Sequence, residues 1–309
     1  MDFKHISVLL EESVESLKIK KDGIYVDCTA GGGGHSAAIL SHLGQNGRMI
    51  LIDQDPDAIN VVTKRFAGDE RVTIVHDNFS NLSQILSSLN VRGVDGIVAD
   101  LGVSSHQLDT AERGFSFHND ALLDMRMSQK GKSAADVVNT YSKNELASVI
   151  LRYGEEKFAD RVAGAIVKAR EEKVIETTLE LAEIISSAIP AKFRRNGHPA
   201  RKTFQAIRIE VNGELDVLKN TLPVMFESLK ENGVLSIITF HSLEDKIVKD
   251  YFRTLKEGCT CPKEFPVCVC GKKPKAVVKS AGVKATTKEL DENNRSRSAK
   301  LRTAMKIEG

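Results

Sequence analysis

Four short apolar runs alternate with helical patterns in the first hundred residues, and this alternation is the feature that most constrains the fold. The runs are IYVDCT, RMILID, VTIVHD and VDGIVADL, and stretches such as PDAINVVTKRFA lie between them. A strand followed by a crossover helix and another strand predicts a parallel sheet with helices on both faces. Ligands of such sheets bind at the carboxyl ends of the strands. We therefore predict an α/β protein with its site at those strand ends.

The alternation stops near Gln107, and the patterns from there to residue 205 are helical. Capping boxes, in which a Ser or Thr is followed three residues later by Glu, predict helix starts after Ser142 and Thr177. The strand pattern resumes with GVLSIITF, and KAVVKS and LRTAMKI are weaker strand candidates. The predicted organisation is a first sheet segment over residues 1–106, a helical insertion over 107–205 and a second sheet segment over 206–309.

The segment TAGGGGHS connects the first strand to the first helix, and three kinds of ligand commonly bind such a glycine turn. A P-loop is excluded because it needs a Lys after its last glycine, and no Lys occurs between Lys21 and Lys64. The dinucleotide pattern that begins at Gly31 expects Gly or Ala at position 36, where this chain has Ser36. An S-adenosyl ligand is the third possibility.

Acidic residues end successive strands, and they distinguish between the two remaining ligands. Asp27 ends the first strand, and Asp53 ends the second, where a carboxylate takes two ribose hydroxyls. In HDNFS, the acid and the amide are candidates for binding an adenine edge, and Phe79 for packing on its face. Asp100 ends the fourth strand, beside the expected reaction centre. Several carboxylates favour a cationic sulfonium and repel a pyrophosphate, so an S-adenosylmethionine enzyme is favoured over a nicotinamide-dependent oxidoreductase.

Eight separated motifs occur in order along nearly the whole chain: VDCTAGGGGHS, IDQDP, DLGVSSHQLD, RGFSF, LDMRM, KTFQAIRIEVN, FHSLEDKIVK and RSRSAKLR. Together they resemble the bacterial ribosomal RNA small subunit methyltransferase H family, also called the MraW family. The resemblance implies a Rossmann-like, class I S-adenosylmethionine-dependent methyltransferase sheet with an inserted helical domain. It also implies methyl transfer to N4 of a cytidine in the decoding centre of 16S ribosomal RNA, the alternative substrate being an amino group of another RNA or of DNA. The cofactor-binding residues that it implies are Gly33, Gly34, His35, Asp53, Phe79, Asp100 and Gln107.

Two groups are candidates for accepting a proton from the reacting amine. Asp100 is the first, and His241, followed by Ser242 at the end of the fifth strand, is the second. Many amino methyltransferases place an acid or amide, two prolines and an aromatic residue after the fourth strand, whereas this chain has DLGVSS. The alternative roles are a turn-capping carboxylate for Asp100 and a hydrogen-bonded structural histidine for His241. His35 either uses its side chain or gives only its backbone N–H to the ligand.

Phe115 and Phe117 in RGFSF have two interpretations. Base chemistry on structured nucleic acid usually requires the base to be flipped out, and an aromatic ring can then stack on it. The alternative is that one of the two rings packs in the core of the helical insertion.

Two basic runs indicate where an RNA partner binds. The net charge of the chain is only +2, but residues 192–202 contain five Lys or Arg and no acid. Residues 272–309 contain eleven Lys or Arg against four Asp or Glu. We predict that these regions hold phosphates of 16S ribosomal RNA or the small ribosomal subunit, with solvated loops as the alternative. The predicted phosphate contacts are Arg194, Arg195, Arg201 and Lys202.

Four of the five cysteines are clustered near the C-terminus, as Cys-x-Cys, six residues, and Cys-x-Cys. They are Cys259, Cys261, Cys268 and Cys270. Four thiolates can bind zinc, but structural zinc sites usually space paired ligands by two to four residues. We therefore predict reduced thiols and no metal.

The opening segment and the cysteine count predict a cytoplasmic protein with no membrane partner. MDFKHISVLL has an acid at position 2 and an apolar run too short for a signal peptide. Nowhere do about 18 uncharged apolar residues run together. Five cysteines in a chain of 309 residues make a disulfide framework an unfavoured interpretation.

Overall fold

The structure, a computed structural model, describes residues 7–194, 197–257, 261–262, 264–279 and 281–308. The strands are β1 (Ile24–Asp27), β2 (Arg48–Asp53), β3 (Val72–His76), β4 (Val94–Asp100), β5 (Leu229–Thr239), β6 (Ala276–Val278) and β7 (Lys300–Lys306). The α-helices are α1 (Leu10–Ser16), α2 (Gly34–Leu40), α3 (Pro56–Arg65), α4 (Leu82–Ser88), α5 (Ser105–Asp109), α6 (Ala134–Thr140), α7 (Lys143–Gly154), α8 (Ala159–Glu172), α9 (Thr178–Ala188), α10 (Arg201–Asn212), α11 (Glu214–Glu227), α12 (Ser242–Glu257) and α13 (Thr287–Glu292). Short 3-10 helices lie at Phe79–Asn81, Ala111–Arg113, Ala191–Phe193 and Asn294–Ser298.

The described strands form a seven-stranded sheet in the order β3-β2-β1-β4-β5-β7-β6. The strands β1 to β5 pair in parallel, so the parallel sheet predicted from the alternation is confirmed. The two late strand candidates are also strands, but β7 pairs antiparallel with β5, and β6 pairs antiparallel with β7. The α/β, Rossmann-like fold class is confirmed.

The sheet buries a core on each of its faces, as β2 shows. Met49 and Leu51 belong to one hydrophobic cluster with side chains of α2 and α3. Ile50 and Ile52 belong to another cluster with side chains of α4, α11 and α12. Because successive side chains of a strand point to opposite faces, a continuous apolar run is what a strand covered on both sides needs. Each fully buried side chain of this size contributes about 1.5–3 kcal/mol.

The chain divides into two compact units, Met1–Gly102 with Leu215–Gly309, and Val103–Glu214. The first unit contains the sheet, and the second is helical. The predicted limits of the insertion were residues 107 and 205. The limit at residue 205 falls inside α10, because Arg201–Asn212 form one continuous helix whose buried face belongs to the helical core.

The helical unit has its own hydrophobic core. Both predicted capping boxes are confirmed, at the starts of α7 and α9. Val162 and Ile166 of α8 are fully buried in this core, as their spacing on one helix face predicts. Phe115 is also buried there, whereas Phe117 is half-buried and stacks on His198 with ring centroids 4.4 Å apart. The core interpretation therefore holds for Phe115.

Within the described ranges, none of the helices combines the length and the apolar composition that crossing a membrane requires.

Candidate active site

Three acids lie at the carboxyl ends of neighbouring parallel strands. Asp27, Asp53 and Asp100 are the last residues of β1, β2 and β4. β1 lies between β2 and β4, so the chain order of the strands changes direction beside it. In open α/β sheets this is where ligands bind, because the connections leave in opposite directions and open a crevice. The sheet therefore brings together the strand-end acids that were selected from the sequence.

The glycine turn connects β1 to α2, and its glycines serve two purposes. Gly33 has a φ of 75°, and a Cβ there would lie 2.8 Å from the Phe66 ring. A Cβ at Gly34 would lie 1.8 Å from Ser7 Oγ. A Cβ at Gly32 would meet no described atom within 4 Å. Gly33 is thus favoured by its positive φ and by the nearby Phe66 ring, and a side chain at Gly34 would have to displace the Ser7 hydroxyl. Gly32 has space beside its Cα, while its carbonyl oxygen accepts a hydrogen bond from Arg65 at 2.6 Å.

Asp53 holds the glycine turn in place. Its Oδ2 accepts a hydrogen bond from the Gly31 N–H at 2.8 Å, and its Oδ1 accepts one from the Asp55 N–H at 2.9 Å. Burial nevertheless raises the pKa of Asp53 to about 6, from an ordinary value of 3.8. Each carboxylate oxygen has a second lone pair, so Asp53 can hold the turn and still accept hydrogen bonds from a ligand.

Asp27 and Ser36 explain why the dinucleotide pattern is broken at position 36. The Ser36 hydroxyl donates to Asp27 Oδ2 at 2.6 Å, and the Thr29 N–H donates to Asp27 Oδ1 at 3.1 Å. Asp27 is 1% exposed, and burial raises the pKa of its carboxyl. A Gly or Ala at position 36 would leave one oxygen of this buried acid without that hydrogen bond.

His35 places its ring next to Asp100. Its Nε2 donates to the Val8 carbonyl oxygen at 3.0 Å, which assigns the ring proton to Nε2. Its Nδ1 lies 3.9 Å from Asp100 Oδ2. The ring is buried, and whether His35 offers a ligand its side chain or only its backbone N–H stays a prediction.

Asp100 has the most perturbed environment of the three acids. Its backbone N–H donates to Thr29 Oγ1 at 2.7 Å, but its carboxylate Oδ1 is buried with no hydrogen-bond partner among the described residues. Burial raises the pKa of Asp100 well above 3.8, and the neighbouring Asp27 and Glu244 carboxylates raise it further. A turn-capping role would give Oδ1 a backbone donor, and none of the described residues supplies one.

Glu244 is a site residue that the sequence analysis missed. Its carboxylate accepts from the Phe240 N–H at 2.8 Å and from the His241 N–H at 3.3 Å, at the start of α12. His241 Nε2 lies 3.1 Å from Glu244 Oε1, although the two atoms are not aligned as a hydrogen bond. Glu244 is buried. Glu244 could have been found from the sequence, because it is an acid in the first turn of a helix that follows a strand end.

The end of β3 is joined to the end of β2. The Asp77 N–H donates to the Asp53 carbonyl oxygen at 3.0 Å, and Asn78 Nδ2 donates to Gln54 Oε1 at 2.7 Å. Phe79 follows as the first residue of a 3-10 helix and packs partly against the sheet core. These contacts bring Phe79 to the same sheet edge as the acids.

Gln107 lies in the helical unit, at the third position of α5. The Ser104 N–H donates to its side-chain oxygen at 2.9 Å, and the Gln107 N–H donates to Ser104 Oγ at 3.1 Å. Gln107 therefore forms a capping box, and its role toward a cofactor stays a prediction.

Negative charge dominates this edge of the sheet. Asp27 and Glu244 are buried, Asp53 and Asp100 are half-buried, and this burial raises the pKa of the three aspartates. A cation would lower these pKa values and relieve the cost of burying ionised carboxylates, whereas a pyrophosphate would increase that cost. A Rossmann-like sheet with a glycine turn and an acidic edge of this kind fits the class of S-adenosylmethionine-dependent methyltransferases.

The chain belongs to the MraW methylase family, whose sequence pattern matches residues 2–307. The ribosomal RNA small subunit methyltransferase H of Clostridium botulinum (strain Kyoto / Type A2) is 55% identical over 309 residues, which cover 99% of this chain and 100% of the relative. The protein of the same name from Lachnospira eligens is 55% identical over 311 residues, with 99% of each chain covered. Among solved structures, an rRNA methylase from Streptococcus thermophilus overlaps 98% of this chain and 99% of its own, with 11% identity and a TM-score of 0.43.

Proposed function

We propose that this protein transfers a methyl group from S-adenosylmethionine to N4 of a cytidine in the decoding centre of 16S ribosomal RNA. The observation that carries the proposal is the buried Oδ1 of Asp100, which has no hydrogen-bond partner within the described part of the chain and lies in a cluster of acids at the strand ends. Family membership supports the methyl transfer, and the names of the relatives support ribosomal RNA of the small subunit as the substrate. The choice of the cytidine N4 atom rests on the resemblance of the sequence motifs.

The residues at the strand ends fit S-adenosylmethionine. Asp53 is the acceptor for the ribose hydroxyls, and the free space beside the Gly32 Cα lies in the same turn. Asp27 and Asp100 supply the negative charge that favours a sulfonium and an amino group. When bound, the cofactor supplies a methyl group on a positively charged sulfur, which makes that methyl electrophilic.

The residues of this chain have two tasks in the reaction. The lone pair of a cytosine N4 amine is delocalised into the ring, so holding the nitrogen in line with the methyl is the first task and can supply roughly 7 kcal/mol. The second task is to accept a proton from the amine, and Asp100 is the group we assign to it. Its Oδ1, to which no described residue donates, has the hydrogen-bonding capacity that an N–H donor needs. His241 is the second candidate, since its buried Nε2 also lacks an aligned hydrogen-bond partner among the described residues, although it lies 3.1 Å from Glu244 Oε1.

The proposed function is tested by mapping the modified nucleosides of small-subunit RNA. We expect cells that lack this protein to lose one N4 methyl group on a decoding-centre cytidine, and we expect the wild-type gene to restore it. Purified protein should then methylate small-subunit particles from the deleted strain but not particles from the wild type. RNA that carries every methyl group in the deleted strain would contradict the proposed substrate.

The basic run at residues 192–202 carries a further prediction, because its charges are held at the surface of the helical unit. Arg194 Nε donates to the Ile189 carbonyl oxygen at 2.7 Å, and Lys202 Nζ donates to the Glu155 carbonyl oxygen at 2.9 Å. Arg201 is exposed, and Arg195 lies outside the described residues. Carbonyl contacts leave each cation its charge, so these side chains can still neutralise phosphates.

We expect the triple variant Arg194→Ala, Arg201→Ala, Lys202→Ala to weaken RNA binding and leave cofactor affinity unchanged. The slope of log affinity against log salt should fall by up to about 2 to 3 units, because each lost phosphate contact removes up to about one. The matched control removes three exposed cations from α12, namely Lys249, Arg253 and Lys256. Equal salt slopes for the two triple variants would show that residues 192–202 form a solvated loop.

A further inference from the structure

Three cysteine side chains converge in the segment between α12 and β6. Cys261 Sγ lies 3.9 Å from Cys268 Sγ, which lies 3.5 Å from Cys270 Sγ. All three sulfur atoms lie within 4.8 Å of one another. Cys259, the other cysteine of the motif, lies outside the described residues and is not part of this cluster as we define it.

These sulfur separations match the edge of a tetrahedral zinc site. A Zn–S bond of about 2.3 Å places two thiolates of a tetrahedron about 3.8 Å apart. The two Sγ–Sγ distances in this cluster, 3.9 and 3.5 Å, lie within a few tenths of an ångström of that value. A disulfide needs its sulfur atoms about 2.05 Å apart, so these pairs have the spacing of co-ligands and not of a covalent bond. The one-residue spacing of Cys268 and Cys270, which led us to predict no metal, does not prevent both sulfur atoms from facing a common centre.

Among its described residues, the segment that carries the thiols buries no apolar side chain that would hold its conformation. Phe265, Val267 and Val269 are 51%, 70% and 74% exposed. Between residues 261 and 275 the described chain contains no helix or strand. A loop of this composition needs a cross-link to offset its conformational entropy, and a structural metal is one such cross-link.

The backbone around the thiols is arranged as thiolate ligands require. The Val269 N–H lies 3.4 Å from Cys261 Sγ and donates to it. Such a bond stabilises a negatively charged sulfur more than a neutral thiol, as a partner outside the ligand shell commonly does. Gly271 follows the last ligand with a φ of 63°, so the chain turns away immediately after Cys270.

We propose that Cys261, Cys268 and Cys270 bind a zinc ion that holds this segment in its observed conformation. Each thiol releases its proton as it binds, so three thiolates and one further ligand complete a four-coordinate site. A soft thiolate set selects zinc over the hard cations magnesium and calcium. This site is independent of the proposed methyl transfer, since none of its residues lies at the strand ends.

The test is elemental analysis of full-length protein purified under reducing conditions without added metal or chelator. We expect near-stoichiometric zinc in the wild type and loss of most of it in Cys268→Ser, the residue that contacts both other thiols. Val267→Ser is the matched control, because it changes an exposed side chain between the ligands and should retain the zinc. Zinc content that is equal in Cys268→Ser and Val267→Ser would overturn the proposal.

Cobalt substitution makes the test independent of how the variants fold. Wild-type protein that has been stripped of metal and given Co²⁺ should show the strong thiolate-to-cobalt charge-transfer bands and the intense visible bands of a tetrahedral site. Wild-type protein with neither zinc nor these bands has no metal site here. Recovery of a Cys261–Cys268 disulfide from reduced preparations would likewise refute the proposal.

Discussion

Asp100→Asn is expected to slow single-turnover methyl transfer by roughly 10²- to 10⁴-fold, the range that general acid–base groups supply. The amide keeps the size of the side chain but cannot accept the amine proton as a carboxylate can. The loss should be much larger in turnover than in cofactor affinity, because the rest of the strand-end acids remain. Asp250→Asn on α12 is the matched control, since it removes the same charge from a surface ion pair with Arg253 and should change neither quantity.

The pH dependence of the rate identifies the accepting group. A carboxyl accepts a proton only when it is ionised, and burial raises the pKa of Asp100. The wild-type rate should therefore fall as the pH is lowered through the pKa that Asp100 has in the cofactor complex, where the sulfonium charge offsets part of the rise caused by burial. The acid limb should persist in His241→Gln and vanish in Asp100→Asn. A rate for Asp100→Asn within about twofold of wild type, or an acid limb that vanishes with His241 alone, would move the acceptor role away from Asp100.

Asp53→Ala is expected to weaken S-adenosylmethionine binding by about 1.5–3 kcal/mol, roughly 10- to 150-fold. Part of this loss comes from the ribose hydroxyls, and part comes from the glycine turn, because Asp53 also accepts from the Gly31 and Asp55 N–H groups. Calorimetry on the folded variant measures the sum of the two effects.

A deoxyribose analogue of the cofactor separates the two parts. If Asp53 binds the ribose hydroxyls, removing a hydroxyl should weaken binding to the wild type but hardly change binding to Asp53→Ala, as in a double-mutant cycle. If the analogue loses the same binding affinity in both proteins, Asp53 does not bind the ribose hydroxyls and only stabilises the glycine turn.

Much of the sheet unit was predictable because its determinants are local. The apolar runs IYVDCT and RMILID mark buried strands, and each ends in an acid that parallel pairing must bring to the same edge. The capping boxes at Ser142 and Thr177 mark helix starts because their hydrogen bonds span only three residues. These strand-end acids indicate a cationic ligand from the sequence alone.

Other features depended on residues that are far apart in the chain. Glu244 lies more than a hundred residues after Asp100 and affects its pKa only because β4 and β5 pair. Gly34 packs closely against the Ser7 side chain, 27 residues earlier, and no local pattern contains that contact. The antiparallel placement of β7 beside β5 likewise follows from long-range pairing.

By itself, the sequence determined the strands, the helix starts, the glycine turn and the acids at the strand ends, because hydrogen bonds and side-chain periodicity over a few residues specify them. Only the tertiary structure decided that Asp100 Oδ1 is buried without a partner among the described residues, and that three cysteines spaced unusually for zinc meet within 4.8 Å. The physical reason is that burial and convergence are properties of packed surfaces, which form only when distant segments of the chain meet.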